Sequence, residues 1–432
     1  MTNSSHPKAT DLHSALQAIN VPELGPLPEF GPKMKEMFML DPNYLILNHG
    51  SYGSIPKYVH EYYQYYSACS EFNPDIWMRS TAPSLYYQTL ERMAKYVGCK
   101  DPKDLVFVQN TSSGLNSVLR SMEIDKNDAL FRFSTSYGAC SNAIQYVCDT
   151  TGALAVDVPI NLPCSSDDII ESTRKTIQKV KDEHGRNIKF AMIDTISSVP
   201  GIVIPYIELS KLFKNEGAIV FIDGSHALGQ MDFCVDEMDC DYFVTNPFKG
   251  FYTKRGIAIF YVAKHLQQEI QPLAIAWAYS LKTGWRNAFF TQGTSDYSAF
   301  LSVNAAADFV EAVGGIRKVK EYCHNLAIEG KNLMESKYGM APMTRDEKQI
   351  PNMINCKLPL QFGNPIHDKV GGRLSEVLLT KKNSSGFVYA HNGAWWIRLY
   401  AQIYLDLHDF DKFGKVLTET IEEEITAETE NI

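Results

Sequence analysis

From residue 105 onward, short apolar runs alternate with amphipathic stretches. The runs are Leu105–Val108, Ala129–Phe133, Ala153–Val158, Phe190–Ile193, Ala218–Ile222, Tyr242–Val244 and Gly256–Tyr261. Between several of them lie helix candidates such as Asp167–Lys181 and Tyr206–Asn215. Apolar runs separated by helices predict βαβ units around a buried, mostly parallel seven-stranded sheet, an α/β architecture. Upstream, Lys57–Cys69 and Leu85–Val97 read as helices, and Tyr58, Tyr62, Tyr65 and Tyr66 recur at helical spacing as a packing face. After about residue 300 the pattern shifts. Tyr297–Val313 predicts one Ala-rich helix ending at Gly314-Gly315, and Arg317–Lys337 predicts another. Trp395–Tyr400 and a last helix from Asp409 complete a smaller α+β C-terminal domain. The acidic tail Glu422–Glu430 reads as a solvated helix end. The expected division is an N-terminal arm over 1–60, a large domain over 61–300 and a small domain over 301–432. The first twenty residues are expected to be loose, and Pro22, Pro26, Pro28 and Pro32 favour an extended arm after them.

Composition narrows the function classes. Of 432 residues, 45% are hydrophobic and 21% charged, which excludes disordered, collagen-like and coiled-coil chains. The longest apolar stretches, such as Gly217–Asp223, are too short to span a bilayer. A net charge of −9 without a basic block argues against nucleic acid as a partner. Nine scattered cysteines without C-x-x-C spacing read as reduced thiols, with neither a disulfide framework nor a metal site. Met1–Leu40 has no Arg and no continuous apolar core, so a cytoplasmic protein is expected.

Ligands of open parallel sheets bind outside the carboxyl ends of the strands, so the residues after each run carry the candidate chemistry. After Leu105–Val108 comes Gln109-Asn-Thr-Ser-Ser-Gly114, a hydroxyl-rich turn opening a helix. Thr111, Ser112 and Ser113 suit an anion such as phosphate, although plain N-capping explains the same residues. Neither a Gly-x-Gly-x-x-Gly nor a Walker lysine is present, which counts against dinucleotides and nucleoside triphosphates. Asp223 ends the next informative run, where a buried carboxylate needs a cation; the competing reading is a turn with Gly224. Lys249 sits among aromatics in Asn246-Pro-Phe248-Lys249-Gly-Phe251. A desolvated lysine is a nucleophile suited to imine formation, whereas most lysines snorkel at the surface. Arg398, alone in the apolar Trp395–Tyr400, suits bidentate capture of a carboxylate or a structural ion pair. Together, a phosphate cradle, an acid, and a lysine 26 residues beyond it are the parts needed to hold pyridoxal phosphate (PLP).

With these residues in order, the chain resembles the class V aminotransferase family of PLP fold type I, in its isopenicillin N epimerase-like branch. That branch includes hercynylcysteine sulfoxide lyases and cysteine desulfhydrases. The resemblance runs from Tyr44 to Phe410. It is carried by Leu47-Asn-His-Gly-Ser-Tyr-Gly-Ser54, Asn110-Thr-Ser-Ser-Gly-Leu-Asn116, Tyr137-Gly-Ala139, Asp223-Gly-Ser-His226, Asn246-Pro-Phe-Lys249, Gln292-Gly-Thr-Ser-Asp296 and Arg398-Leu-Tyr-Ala-Gln402. The resemblance implies that Lys249 carries the cofactor and moves the α-proton, that Asp223 partners the pyridine nitrogen and that His226 is a neighbour in contact with the cofactor. It places Thr111, Ser112 and Asn246 at the phosphate and Tyr137 beside the ring. Thr294 is expected to reach the phosphate of a second subunit, which implies a homodimer with shared sites. Arg398 is expected to bind the substrate carboxylate, helped by Asn48. One departure stands out: the branch has His directly before its lysine, and here that place is Phe248.

The resemblance leaves several reactions open. The leading expectation is a PLP-dependent C–S lyase that eliminates the β-substituent of a cysteine S-conjugate of the hercynylcysteine sulfoxide type, as in ergothioneine biosynthesis. Tyr137 would orient the leaving group, and Tyr52, Trp77 and Phe72 are candidates to line a pocket for an imidazolium betaine. The alternatives are an amino-acid epimerase, with Tyr137 or His226 as second acid, an L-cysteine desulfhydrase, and a non-catalytic scaffold. A desulfurase needs a mobile cysteine, for which Cys323, in a predicted helix, and Cys356, in an apolar segment, are poorly placed.

Overall fold

The structure, a computed structural model, describes residues 21–430; the first twenty residues, expected to be loose, lie outside it. All seven apolar runs form strands of one sheet. In chain order, after the two-residue β1 (Leu45–Ile46), they are β2 (Leu105–Val108), β3 (Asp128–Phe133), β4 (Leu154–Val158), β5 (Asn187–Asp194), β6 (Ile219–Asp223), β7 (Tyr242–Thr245) and β8 (Ala258–Val262). Their spatial order is β2-β8-β7-β6-β5-β3-β4. β8 is antiparallel to both neighbours and every other pairing is parallel. Apart from the edge strand β4, residues on both faces of these strands are mostly buried, as an inner parallel sheet covered by helices requires. The helices Ser166–His184 and Tyr206–Asn215 stand where the amphipathic pattern puts them. The two early helices run slightly longer than expected, over Lys57–Phe72 and Ala82–Val97.

The C-terminal part carries a three-stranded antiparallel sheet of order β11 (Phe387–His391), β12 (Ala394–Tyr400), β9 (Met353–Lys357). Helices Gly315–Tyr338, Pro365–Lys382 and Leu407–Glu430 accompany it. The N-terminal segment is tied to this part: β1 pairs in parallel with β10 (Ser384–Ser385), and the Tyr400 N–H donates to the Leu47 carbonyl (2.8 Å).

Two expectations are corrected. Tyr297–Val313 is not one helix but two, Ser298–Leu301 and Val303–Ala312. The break falls at Ser302, whose hydroxyl donates back to the Ala299 carbonyl (2.7 Å) and competes with the helical ladder. The acidic tail is not simply solvated. Glu424 and Glu428 are buried and pair with Arg373, with Lys381 on Glu424 and Lys369 on Glu428. These pairs fasten the last helix to Pro365–Lys382.

The helix Thr111–Ser121, which opens at the hydroxyl-rich turn, lies against β7. A Cβ on Gly114 would fall 2.8 Å from Val244 Cγ2, so only glycine allows this approach. Gly114→Ala is expected to destabilise the protein by about 1–3 kcal/mol through overpacking. Urea unfolding checks this, and Gly114→Ala with Val244→Ala should cost less than the sum of the single changes.

Candidate active site

Thr111, Ser112, Asp223, His226, Asn246, Lys249 and Arg398 converge on one cavity of about 760 Å³ above the carboxyl ends of β5, β6 and β7, whereas Ser113 stays off its wall, its hydroxyl bonded to Gln109 and Asn110. β7 stops at Thr245, and Pro247 opens a single 3₁₀ turn, Pro247–Lys249, because its fixed φ suits the first position of a helical turn. That turn carries Lys249 into the cavity, with Nζ 2.9 Å from His226 Nε2. The His226 Nδ1 lies 3.3 Å from Gln230 Nε2. Asp223, the last residue of β6, accepts from the Ser225 N–H (2.9 Å) and lies 3.9 Å from the Cys140 thiol. The Ser225 hydroxyl bonds Thr111 Oγ1 (2.6 Å) and accepts from Asn246 Nδ2 (3.1 Å), joining the hydroxyl-rich turn to the lysine loop.

Arg398 on β12 is buried at the opposite wall. Its Nη1 donates to the Ser198 carbonyl (2.6 Å), and its Nη2 donates to Asn48 Oδ1 and Ser51 Oγ (both 2.9 Å). Its guanidinium lies 5.4 Å from the Phe387 ring centroid. No carboxylate is among these partners, so Arg398 forms no structural ion pair among the described residues. Asn48 does not line the cavity; it acts on Arg398. Next to it, Gly53 has φ +66°, and a Cβ there would fall 2.1 Å from the Phe248 carbonyl oxygen, so this N-terminal turn abuts the lysine turn directly.

Burial governs the electrostatics. Desolvation brings Lys249 down from 10.5 to about 8, with Asp223 opposing and Arg398 assisting. His226 is driven well below its usual range by burial and then by Lys249, and is neutral. Arg398 falls to about 10, again through burial, and remains a cation at neutral pH. Asp194 and Asp223 are both pushed upward, burial being the largest cause in each.

Tyr137 caps the helix Gly138–Thr151 and stands on the cavity wall, 54% exposed. Ser112, Phe248 and Tyr52 also line the wall. The other two aromatics offered for the pocket do not reach it. Trp77 is buried among the early helices, and Phe72 projects outward at the end of its helix. Thr294 is exposed and lies off the cavity wall of its own chain. Sequence reasoning missed Asp194, Ser198, Ser225, Gln109 and Arg255. The strand-end rule applied to Phe190–Ile193 points directly to Asp194; Ser198 and Arg255 carry no such signal.

The cavity suits PLP on an observation of its own. Thr135 Oγ1, Asn246 Oδ1 and Arg398 Nε are buried at its walls without a protein hydrogen-bond partner. Beside them stand the hydroxyls for a phosphate, a carboxylate for a ring nitrogen and a lysine amine for an aldehyde. The profile described as Aminotransferase class-V matches residues 54–367. The chain belongs to the class-V aminotransferase family. It is a PLP-dependent enzyme of fold type I. It is 26% identical over 445 residues to an L-cysteine desulfhydrase-like protein of Epichloe uncinata, covering 92% of this chain and 97% of that one. It is 24% identical over 395 residues to the hercynylcysteine sulfoxide lyase of Schizosaccharomyces pombe, covering 90% and 97%. A solved cystine C–S lyase in complex with cysteine persulfide superposes with a TM-score of 0.72 at 15% identity, covering 87% of this chain and 97% of that one.

A lysine at about 8 reacts with the aldehyde of its cofactor at lower pH than an ordinary one. PLP uptake by the cofactor-free protein, followed by absorbance, is expected to accelerate as pH rises, with its midpoint near 8. Arg398→Met removes a cation that disfavours the ammonium, so the midpoint should move up. Asp223→Asn removes the anion that favours it, so the midpoint should move down.

Proposed function

We propose that this enzyme is a carbon–sulfur lyase that removes the β-substituent of an S-substituted cysteine, with hercynylcysteine sulfoxide-type conjugates as the leading substrate class. The observation that carries this reading is the combination of a Lys249 lowered to about 8 and an Arg398 with no carboxylate among its described partners, at a cavity whose described walls include no cysteine. Cys323 and Cys356 are fully buried in the C-terminal part. A desulfurase, which attacks substrate sulfur with its own thiol, lacks its nucleophile here.

Arg398 receives the substrate α-carboxylate through charge-assisted hydrogen bonds, oriented by Asn48 and Ser51. Lys249, its amine brought near neutrality by burial, takes the α-proton. The bound cofactor supplies an electron sink for the pair this leaves at Cα, and Asp223 holds its ring nitrogen. Tyr137 gives a proton to the departing group, which leaves as a sulfenic acid from a sulfoxide or as a thiol from a thioether. The three-carbon product leaves as aminoacrylate, which hydrolyses in water to pyruvate and ammonia. Tyr52, Tyr137, Phe248 and Phe387 give the wall aromatic faces suited to a cationic leaving group such as an imidazolium betaine. Thr294 serves the phosphate of a second copy, in a homodimer. The exposed Ile275, Trp277 and Leu281 supply apolar surface for that contact. Nine free cysteines suit a reducing, cytoplasmic setting.

Proton NMR in D₂O with cysteine, an S-alkylcysteine sulfoxide and hercynylcysteine sulfoxide tests the reading. Pyruvate formation with loss of substrate is the expected result, fastest with hercynylcysteine sulfoxide. Deuterium at the α-carbon without pyruvate would replace the lyase by an epimerase. Tyr137→Phe is expected to lower kcat roughly 10²–10⁴-fold with little change in KM, the scale of a lost general acid.

A further inference from the structure

The site holds a second buried carboxyl that the reading above does not use. Asp194 ends β5 as Asp223 ends β6, and the two are direct partners in the parallel register. Side chains at paired positions of neighbouring parallel strands project from the same face, with backbones about 4.8 Å apart. Both residues line the cavity and both are nearly fully buried, at 4% and 3% exposure. Two carboxylates this close in low dielectric do not both ionise readily.

Their surroundings are unequal. Asp223 accepts from the Ser225 N–H and faces the Cys140 thiol, and its strand end lies toward the Lys249 amine. Asp194 has only neutral donors, the Ser136 hydroxyl at 3.0 Å, which itself accepts from the Phe133 N–H, and its own backbone N–H. The charged or titratable groups acting on Asp194 are Asp223 on β6 and Lys249 on the 3₁₀ turn, and Cys140 on Gly138–Thr151 feels both carboxyls. Of these only Lys249 favours ionisation, and it serves Asp223 as well.

We propose that Asp194 is the neutral member of a carboxyl pair: it keeps the one proton the two groups share and thereby leaves Asp223 ionised to hold a cationic ring nitrogen. Asp194 is then a positioning residue, acting on the cofactor through the charge of Asp223. Burial first, and the neighbouring Asp223 next, both push Asp194 upward. The inference rests on the cofactor and not on the lyase reading, so it stands or falls independently of pyruvate production.

Infrared spectroscopy of the holoenzyme reads the proton directly. The wild type is expected to show the deuterium-sensitive carbonyl stretch of a protonated carboxylic acid at pH 7–8, and Asp194→Asn to lack it. Asparagine mimics the neutral acid, so the Asp194→Asn cofactor dissociation constant should stay within about threefold of wild type, whereas Asp223→Asn should raise it at least about tenfold. Absence of the band in the wild type would overturn the proposal. So would an Asp194→Asn loss of cofactor as large as that of Asp223→Asn, because Asp194 would then be an anion that binds on its own account. Should Asp194→Asn fail to fold, a pH series on wild-type holoenzyme carrying ¹³C-labelled aspartate still decides. One carboxyl must remain protonated above pH 7, and full ionisation of both by pH 7 refutes the pair.

Discussion

Desolvation at the carboxyl end of the sheet is the constraint on which the rest of this structure turns. Lys249, His226, Asp223, Asp194 and Arg398 are held at one cavity with little access to water. Each group there is shifted toward its neutral form, and burial is the first cause every time. A buried charge is costly unless something opposes it. The fold therefore sets one cation, Lys249, against the Asp194–Asp223 pair, surrounds Arg398 with neutral acceptors, and leaves the remaining polar atoms to be satisfied by a ligand. The same constraint explains the chemistry: an amine near neutrality is a base and a nucleophile, while a guanidinium, even lowered to about 10, is still a charge.

The local sequence serves that arrangement at each strand end. Pro247 turns the chain immediately after β7 so that a lysine four residues beyond the strand points inward. A Cβ on Gly224 would fall 2.1 Å from the Phe243 ring, so glycine is what lets the backbone between Asp223 and Ser225 pass close to that ring. Ser225 binds Thr111 and Asn246 at once, so the turn after β2 and the loop after β7 share a single hydroxyl as their hinge point. These are short-range choices, each intelligible from the size or stiffness of one residue.

That is also why much of the molecule could be read from its sequence. Runs such as Leu105–Val108 and Tyr242–Val244 are apolar because they are covered on both faces, and this alone places them in an inner sheet. Residues just past those runs were legible as site candidates, and the cavity collects them. What resisted reading depends on tertiary placement. Trp77 and Tyr52 are both aromatic, but only the fold distinguishes a side chain packed between helices from one at a cavity mouth. Glu424 and Glu428 look solvated in the sequence because their cations, Lys369, Arg373 and Lys381, come from another helix. The helix break at Ser302 turns on one hydroxyl choosing a backbone carbonyl. Asn48 was recognised as useful, but its work on Arg398 rather than on substrate is a matter of 2.9 Å geometry.

The segment Asn48–Gly53 has a wider consequence. One end of it holds the guanidinium of Arg398, and the other presses on the Phe248 carbonyl that leads into Lys249. Because β1 also ties the start of this segment to β10, six residues join three places that lie far apart in the chain: the guanidinium on β12, the turn that follows β7 and the small strand before β11. A disturbance at any one of them is handed to the other two through a single short stretch of backbone.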